Sequence, residues 1–128
     1  MTIRIMVADD HPIYRDGVVT SLEETGEFRV VGIASSAEEA VRLAAQKNPD
    51  IALLDLSMPG GGLNALKAIA TAGSAKYLAM LTVSEDDGNV TEALRIGAIA
   101  YILKGVSANE LRKVLKCVAQ GEAHVSPS

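Results

Sequence analysis

Aromatic residues and cysteine are scarce in this chain, and tryptophan is absent. Aromatics make up 3% of the 128 residues, so alanine, valine, leucine and isoleucine must fill the core, as suits a sheet covered by helices on both faces. The single cysteine, Cys117, cannot form an internal disulfide, which indicates a reducing compartment. No charged leader opens the chain, and no apolar run is long enough to span a bilayer. We therefore expect a cytoplasmic protein without a membrane partner.

An excess of basic charge is also lacking. The formal net charge is -4, which argues against nucleic-acid binding by this chain itself, because phosphate binding needs a basic face. A separate domain that binds DNA is not excluded. The apolar content of 48% and charged content of 22% are typical of a globular protein, and the length fits one domain.

Strand and helix patterns alternate five times along the chain. Apolar runs predict strands over Ile3 to Ala8, Phe28 to Ala34, Ile51 to Leu54, Tyr77 to Leu81 and Ala100 to Leu103. Between and after them, helices are predicted over residues 11–24, 36–47, 63–72, 86–96 and 107–120. Five βα units imply a flavodoxin-like α/β three-layer sandwich with a parallel sheet in the order 2-1-3-4-5. This domain should cover residues 3–120, and residues 121–128 are predicted to be a linker stub.

Capping residues and apolar stripes support two of the helices in particular. Ser36 with Glu39, and Ser107 with Glu110, have the spacing of capping boxes. Apolar residues at helical spacing predict the buried faces of the second, fourth and fifth helices, and they are Ala37, Ala40, Val41 and Ala44, then Val90, Ala93 and Leu94, then Leu111, Val114, Leu115 and Val118.

Three acidic residues follow predicted buried strands. Asp9 and Asp10 come directly after the first strand, and Asp55 comes directly after the third. Open α/β sheets bind their ligands at the carboxyl ends of the strands, and strands one and three should be neighbours there. Three carboxylates at one edge repel one another unless a hard divalent cation compensates their charge. The sequence therefore predicts a Mg²⁺ site at this edge.

A hydroxyl and an ammonium group should approach the same edge. Thr82 ends the fourth strand and Lys104 follows the fifth. A carboxylate such as Asp55 can take up a phosphoryl group as an acyl phosphate. Lysine offers a point charge, and threonine a hydrogen-bond donor, to the oxygens of such a group.

Four motifs, each at a predicted strand end, carry a resemblance to a known family. They are Asp9-Asp10-His11-Pro12, Asp55-Leu56-Ser57-Met58-Pro59-Gly60, Leu81-Thr82-Val83-Ser84 and Tyr101-Ile102-Leu103-Lys104. With these motifs the chain resembles the receiver domain of a bacterial two-component response regulator over residues 3–120. It is most similar to the NarL/FixJ-type subfamily, whose members usually carry a LuxR-type helix-turn-helix output domain.

The resemblance implies a phosphoacceptor and a metal site. Asp55 would accept a phosphoryl group from a sensor histidine kinase. Asp10 would bind Mg²⁺ directly, Asp9 mainly through water, and the Ser57 backbone carbonyl would complete the protein ligands. Such a domain is a signalling phosphoacceptor with only slow self-dephosphorylation, and not an enzyme.

The resemblance also implies a switch. Thr82 would move toward the phosphoryl group, Lys104 would pair with it, and Tyr101 would pack inward. Phosphorylation is then expected to change homodimerisation and so control transcription through an output domain that this chain does not contain. The face around Val90, Tyr101 and Leu111 is one candidate dimer surface, and helices one and five form the rival.

Two positions depart from the usual receiver pattern. Gly105 stands where receivers generally have proline, and Val83 is bulkier than usual. A flavodoxin-like cofactor carrier would need more aromatics, and an atypical, unphosphorylated receiver is disfavoured by the complete residue set. His11 is interpreted as a helix-start residue rather than a phosphate carrier, and Cys117 as a small apolar packing residue.

Overall fold

Strands and helices alternate throughout the chain in a computed structural model that describes residues 2–125. The strands are β1 (Ile3–Ala8), β2 (Phe28–Ala34), β3 (Ile51–Leu54), β4 (Tyr77–Thr82), β5 (Ala100–Leu103) and β6 (His124–Val125). The helices are α1 (Pro12–Glu23), α2 (Ala37–Lys47), α3 (Gly62–Ala72), α4 (Asp87–Ile96) and α5 (Ala108–Val118). Every element expected from the sequence is present, with small shifts at its ends.

The sheet is parallel, and its order is β2-β1-β3-β4-β5-β6. The predicted order of the first five strands is confirmed, but the prediction of a five-stranded sheet is wrong. The flavodoxin-like α/β arrangement therefore stands, with one additional edge strand. Because β1 and β3 are neighbours, their carboxyl ends meet at the point where the strand order reverses.

The additional strand lies within the segment that was predicted to be a linker. His124 N donates to Ile99 O at 2.9 Å, and Val125 pairs with Tyr101 of β5. Gly121, with a φ of 86°, lets the chain turn back after α5. Two residues without a periodic apolar pattern gave no sequence signal for this strand. The role of the segment as a linker stays a prediction, and residues 126–128 lie outside the described part of the chain.

Two apolar cores lie on opposite faces of the sheet. The first joins the sheet to α2, α3 and α4 through small alanines and larger side chains such as Met80 and Leu66. The second joins it to α1 and α5 through residues such as Leu22, Leu111 and Leu115. Small side chains let helices approach the sheet closely, which explains how a chain so poor in aromatics fills its interior.

The predicted caps are present, with one change of partner. The Ser36 hydroxyl accepts a hydrogen bond from Glu39 N at 3.2 Å, and the Ser107 hydroxyl accepts one from Glu110 N at 3.1 Å. The Glu39 carboxylate accepts from Ser35 N at 2.7 Å rather than from Ser36 N. The first turn of α2 is therefore held from both sides, as a capping box requires, although the reciprocal bond starts one residue earlier.

Three predictions about exposure need revision. Leu94 was placed on the buried face of α4, but it is 39% exposed. Tyr101 and Leu111 were named for a dimer surface, yet both are buried, so neither can provide an intermolecular contact without a change of conformation. The predicted buried face of α5 is confirmed, and Cys117 on this helix is partly buried.

Among the described residues, no helix is both long enough and apolar enough to cross a membrane.

Candidate functional site

The carboxyl ends of β1 and β3 bring two aspartates together. Ala8 and Leu54 are paired in register, so Asp9 and Asp55 directly follow paired residues. Asp55 N donates to Ala8 O at 2.9 Å, which continues the ladder into the site. Both carboxylates are buried, with 3% of Asp9 and 1% of Asp55 exposed. The register of the sheet therefore places two charged groups where water can reach them only poorly.

Lys104 supplies the opposing charge. Its backbone N donates to Thr82 O at 3.0 Å, which fixes the start of the β5–α5 loop beside the end of β4. Its Nζ lies 2.7 Å from Asp9 Oδ2 and 3.5 Å from Asp55 Oδ2. One ammonium group thus forms ion pairs with two buried carboxylates, which leaves the site with excess negative charge.

The pKa of Asp9 records this environment. Burial by itself would raise the pKa of the carboxyl, but hydrogen bonds from Lys104 and His11 outweigh burial and hold the pKa below its ordinary value. Asp9 therefore stays ionised in neutral solution, and it adds fixed negative charge beside Asp55.

The two carboxylate oxygens of Asp55 differ in their hydrogen bonding. The Ser57 hydroxyl donates to Asp55 Oδ2 at 3.2 Å, on the same oxygen that faces Lys104. Asp55 Oδ1 is buried without a hydrogen-bond partner. Buried polar atoms are normally satisfied, so an unpaired carboxylate oxygen at 1% residue exposure indicates a place for a cation or a reacting group.

The acids form a set that can hold a metal ion. One ligand atom from each of Asp9, Asp10, His11 and Asp55 lies within 4.8 Å of all the others. Asp10 is less buried than the other two acids, with a side chain 31% exposed. Oxygen ligands of this kind suit Mg²⁺, which needs only one or two carboxylates and keeps several waters.

Thr82 and Tyr101 lie on the two neighbouring strands. Thr82 is buried at the end of β4, and its hydroxyl accepts from Ser84 N at 3.3 Å. The Tyr101 hydroxyl donates to Ser84 O at 3.0 Å. Burial raises the pKa of Tyr101, and nearby Asp86 adds to this, so the phenol stays a neutral donor. Ser84 therefore connects the two side chains that were predicted to switch together.

A comparison with known proteins decides the family. The sequence matches the response regulator receiver domain over residues 5–116. The chain belongs to this family. The receiver is 35% identical over 126 residues to the response regulator GacA of Pseudomonas viridiflava, and the match covers 98% of this chain and 59% of that protein. It is 37% identical over 123 residues to the nitrate/nitrite response regulator protein NarL of Escherichia coli, with coverages of 95% and 57%.

Solved structures agree with this assignment. The receiver is similar to the signal receiver domain of the putative response regulator NarL from Mycobacterium tuberculosis, with a TM-score of 0.90 and 32% identity, covering 94% of this chain and 98% of that one. A LuxR-family two-component response regulator from Aurantimonas sp. gives a TM-score of 0.92 at 34% identity, with coverages of 99% and 91%. The receiver spans a little over half the length of the curated relatives named above.

Two site residues were not predicted from the sequence. The His11 ring lies among the acids, with Nδ1 2.7 Å from Asp9 Oδ1. The Tyr14 ring lies under Lys104, whose Nζ is 4.6 Å from the ring centroid. Burial, together with the charges of Asp9 and Asp55, raises the pKa of Tyr14 to about 12. Tyr14 lies four residues after Asp10, in the first turn of α1, but this spacing alone does not place its ring beside Lys104.

The mouth of the receiver site is lined by His11, Tyr14, Ser57, Val83, Lys104 and Gly105. Val83 is 74% exposed, so its side chain stands at the rim rather than over Asp55. A Cβ at Gly105 would meet no atom within 4 Å, so this loop position has space around it. The mouth is therefore open toward solvent on the Gly105 side and flanked by an apolar side chain on the other.

Proposed function

We propose that this receiver accepts a phosphoryl group on Asp55 from a phosphohistidine of a sensor histidine kinase. The observation that carries the proposal is the state of Asp55, a buried carboxylate with one unpaired oxygen beside the ammonium of Lys104. In the transfer, a carboxylate oxygen forms a bond to phosphorus as the P–N bond of the donor histidine breaks. The products are an aspartyl phosphate and a neutral imidazole on the donor.

Each neighbouring side chain has a task in this transfer. Lys104 lies 3.5 Å from Asp55 Oδ2 and can pair with a phosphoryl oxygen. The hydroxyls of Ser57 and Thr82 are additional donors at the same edge of the sheet. Val83 and the open side at Gly105 border the path by which a donor reaches Asp55.

Mg²⁺ is the proposed cofactor, held by Asp10 and Asp55 directly, by Asp9 mainly through water and by the Ser57 backbone carbonyl. The unpaired Asp55 Oδ1 and the close grouping of the acids fit this assignment. When bound, Mg²⁺ neutralises phosphoryl oxygens. Since the single ammonium of Lys104 lies against two buried carboxylates, a divalent ion also offsets the repulsion between them.

The proposed output is a change in packing that starts at Asp55. New charge on Asp55 draws Thr82 toward it, and this movement alters the contact between Ser84 and Tyr101. Phosphorylation then shifts the population between two conformations of the receiver. Loss of the phosphoryl group to water is proposed to be slow, so that the domain acts as a signalling phosphoacceptor rather than as an enzyme.

For the whole protein, we infer a homodimer that regulates transcription through a LuxR-type DNA-binding output domain. Relatives with a similar receiver include the transcriptional regulatory protein DegU of Brevibacillus brevis, which is 36% identical over 126 residues and of which this chain covers 53%. The burial of Tyr101 and Leu111 disfavours the first candidate dimer face. Ile13 is 91% exposed beside an apolar groove between α1 and α5, which favours these helices as the surface for a second copy. A cytoplasmic location stays a prediction from the lone cysteine.

The first test is intact-mass spectrometry after incubation with acetyl phosphate, with and without Mg²⁺. We expect the wild type to gain one phosphoryl mass, roughly 80 Da, only when Mg²⁺ is present. Asp55→Asn should gain nothing. Asp50→Asn is the matched control, because Asp50 precedes the same strand that Asp55 follows, and it should behave as the wild type.

Two results would count against the proposal. Phosphorylation of Asp55→Asn would show that another residue is the acceptor. Phosphoryl uptake by the wild type in the presence of a metal chelator would show that the reaction does not need a metal ion. Sedimentation of the receiver with and without beryllofluoride tests the dimer separately. Unchanged association would refute dimerisation of the isolated receiver without affecting the phosphoacceptor role.

A further inference from the structure

Lys104 lies in a loop that gives its long side chain little support. Its backbone N donates to Thr82 O at 3.0 Å, but the next residue is Gly105, at which an added Cβ would meet no atom within 4 Å. Lysine is among the side chains that lose most rotamer freedom when they are fixed. Yet only 9% of the Lys104 side chain is exposed. The position of its ammonium must therefore come from the groups that contact it.

The polar contacts of this ammonium are uneven. Lys104 Nζ lies 2.7 Å from Asp9 Oδ2 but 3.5 Å from Asp55 Oδ2. His11 Nδ1 is 3.3 Å from Nζ, and it is itself bound to Asp9 Oδ1 at 2.7 Å. Attraction between opposite charges grows as their distance falls, so the ammonium is drawn to Asp9 more strongly than to Asp55. A further contact is needed to keep it within reach of Asp55.

The ring of Tyr14 provides that contact. Lys104 Nζ lies over the ring, 4.6 Å from its centroid, which is within the range of a cation–π interaction. Such an interaction is worth a factor of roughly 2 to 30 in an equilibrium constant. The phenol stays neutral, because burial and the charges of Asp9 and Asp55 raise the pKa of Tyr14 to about 12. The ring face thus adds an attraction that depends on neither carboxylate.

Tyr14 is itself held in place by its own packing. It is half-buried and packs against the apolar core that contains Val18 of α1 and Leu111 of α5. It lines both the mouth of the site and the groove between α1 and α5. Tyr14 therefore offers the ammonium a fixed surface, which the loop at Gly105 does not.

We propose that Tyr14 is a positioning residue, whose ring face holds the Lys104 ammonium where it can pair with a phosphoryl group on Asp55. The inference rests on the proposed function, since it adds a residue to the same transfer. Tyr14 acts through Lys104 and takes no part in making or breaking a bond. Because the contact is made by the ring face, phenylalanine should replace tyrosine here, and an aliphatic side chain should not.

The rate of phosphoryl uptake from acetyl phosphate, followed by intact mass in saturating Mg²⁺, tests the proposal. We expect Tyr14→Leu to slow uptake at least about tenfold, since misplacing a positioned group by about 1 Å can cost about 100-fold. Tyr14→Phe keeps the ring and should stay within about twofold of the wild type. A wild-type rate for Tyr14→Leu, or a rate for Tyr14→Phe as low as that of Tyr14→Leu, would overturn the proposal.

Tyr77→Leu is the matched control. Lys76 Nζ lies over the Tyr77 ring, 5.5 Å from its centroid, so the same substitution removes a lysine–ring contact at the opposite end of β4 from Thr82. Tyr77 packs against the same apolar core as Tyr14, and urea unfolding measures what each leucine variant loses in packing. Tyr77→Leu should keep the wild-type rate of uptake. A rate as low as that of Tyr14→Leu would attribute the effect to lost packing and overturn the proposal.

Proton NMR of Lys104 supplies a readout that does not depend on the reaction. Protons above an aromatic ring resonate upfield, and the ε-methylene signals of Lys104 are those absent from Lys104→Met. We expect these signals to lie upfield in the wild type and in Tyr14→Phe, and to return to the ordinary lysine position in Tyr14→Leu. Unshifted Lys104 signals in the wild type would overturn the proposal.

The two proposals fail in different ways. If the wild type takes up no phosphoryl group, the proposed function fails, and the role of Tyr14 in the transfer fails with it. If the wild type is phosphorylated on Asp55 and Tyr14→Leu reacts equally fast, only the role of Tyr14 is lost.

Discussion

Gly62, at the start of α3, is the position where a single methyl group should damage both the fold and the site. Its backbone N donates to Leu56 O at 2.9 Å and closes the loop that follows Asp55. A Cβ at this position would lie 2.1 Å from Asp55 O and 2.6 Å from the Leu56 Cα. Carbon atoms in ordinary contact are about 3.5 Å apart, so the chain on one side must move by about 1 Å.

The size of the effect follows from which atoms clash. Both neighbours are backbone atoms, and no flexible side chain can turn away to relieve the contact. Overpacking typically costs 1–3 kcal/mol, so we expect Gly62→Ala to lower the free energy of unfolding by about 3 kcal/mol. The melting temperature of a domain of this size should then fall by roughly 10 °C. Displacement of Asp55 by about 1 Å should also slow phosphoryl uptake by up to about 100-fold.

Urea unfolding and the rate of phosphorylation by acetyl phosphate measure the two effects. Gly17→Ala is the matched control, because a Cβ at Gly17, inside α1, would meet no atom within 4 Å. Alanine is a better helix former than glycine, so this change should stabilise the protein by up to about 1 kcal/mol. Equal unfolding midpoints for the two variants would refute the steric argument.

Three further predictions concern side chains in the core and around the site. Tyr14 should ionise with a pKa of about 12, measured as phenolate absorbance that Tyr14→Phe removes. Since this pKa exceeds the unfolded value of about 10, the associated stability is complete below pH of about 10 and is lost as the pH rises toward 12. A Tyr14 midpoint near the unfolded value would show that the ring is not in this environment. Leu111→Ala should cost about 3 kcal/mol in urea unfolding because Leu111 is 4% exposed, whereas Leu94→Ala should change stability by less than about 0.5 kcal/mol. A large loss for Leu94→Ala would restore the sequence-based assignment of this residue to the core. Tyr101→Phe should cost about 1 kcal/mol, since it removes the hydrogen bond to Ser84 O, and an unchanged unfolding midpoint would show that this bond contributes nothing.

The sheet order and most of the site could be predicted because both depend on strand ends. Apolar runs identify β1 and β3, and a parallel sheet brings the residues after them to one edge. Asp9 and Asp55 accordingly both lie within 3.5 Å of the Lys104 ammonium. No similar rule connects a helix side chain with this edge. The contacts of His11 and Tyr14 depend on how α1 packs against the sheet, which periodicity alone does not determine.

The structural features that the sequence did not predict correctly also depend on packing between elements. Leu94 belongs to an apolar stripe, but the stripe of α4 is wider than the surface that the helix buries. β6 has only two residues, and its stability comes from pairing with β5 rather than from its own composition. Tyr101 was expected to pack inward on switching, and its ring already lies in the core while its hydroxyl reaches Ser84.

The short strand β6 also determines how a following segment is tethered. Neighbouring strands are about 4.8 Å apart, so the backbone at Val125 runs directly beside Tyr101. A segment that follows Val125 therefore begins beside β5, and not at the end of α5. For an output domain joined after this point, the pairing of β6 would shorten the free tether and raise the effective concentration of that domain at this edge of the sheet. Breaking the two pairings of β6 would lengthen the tether and lower this effective concentration.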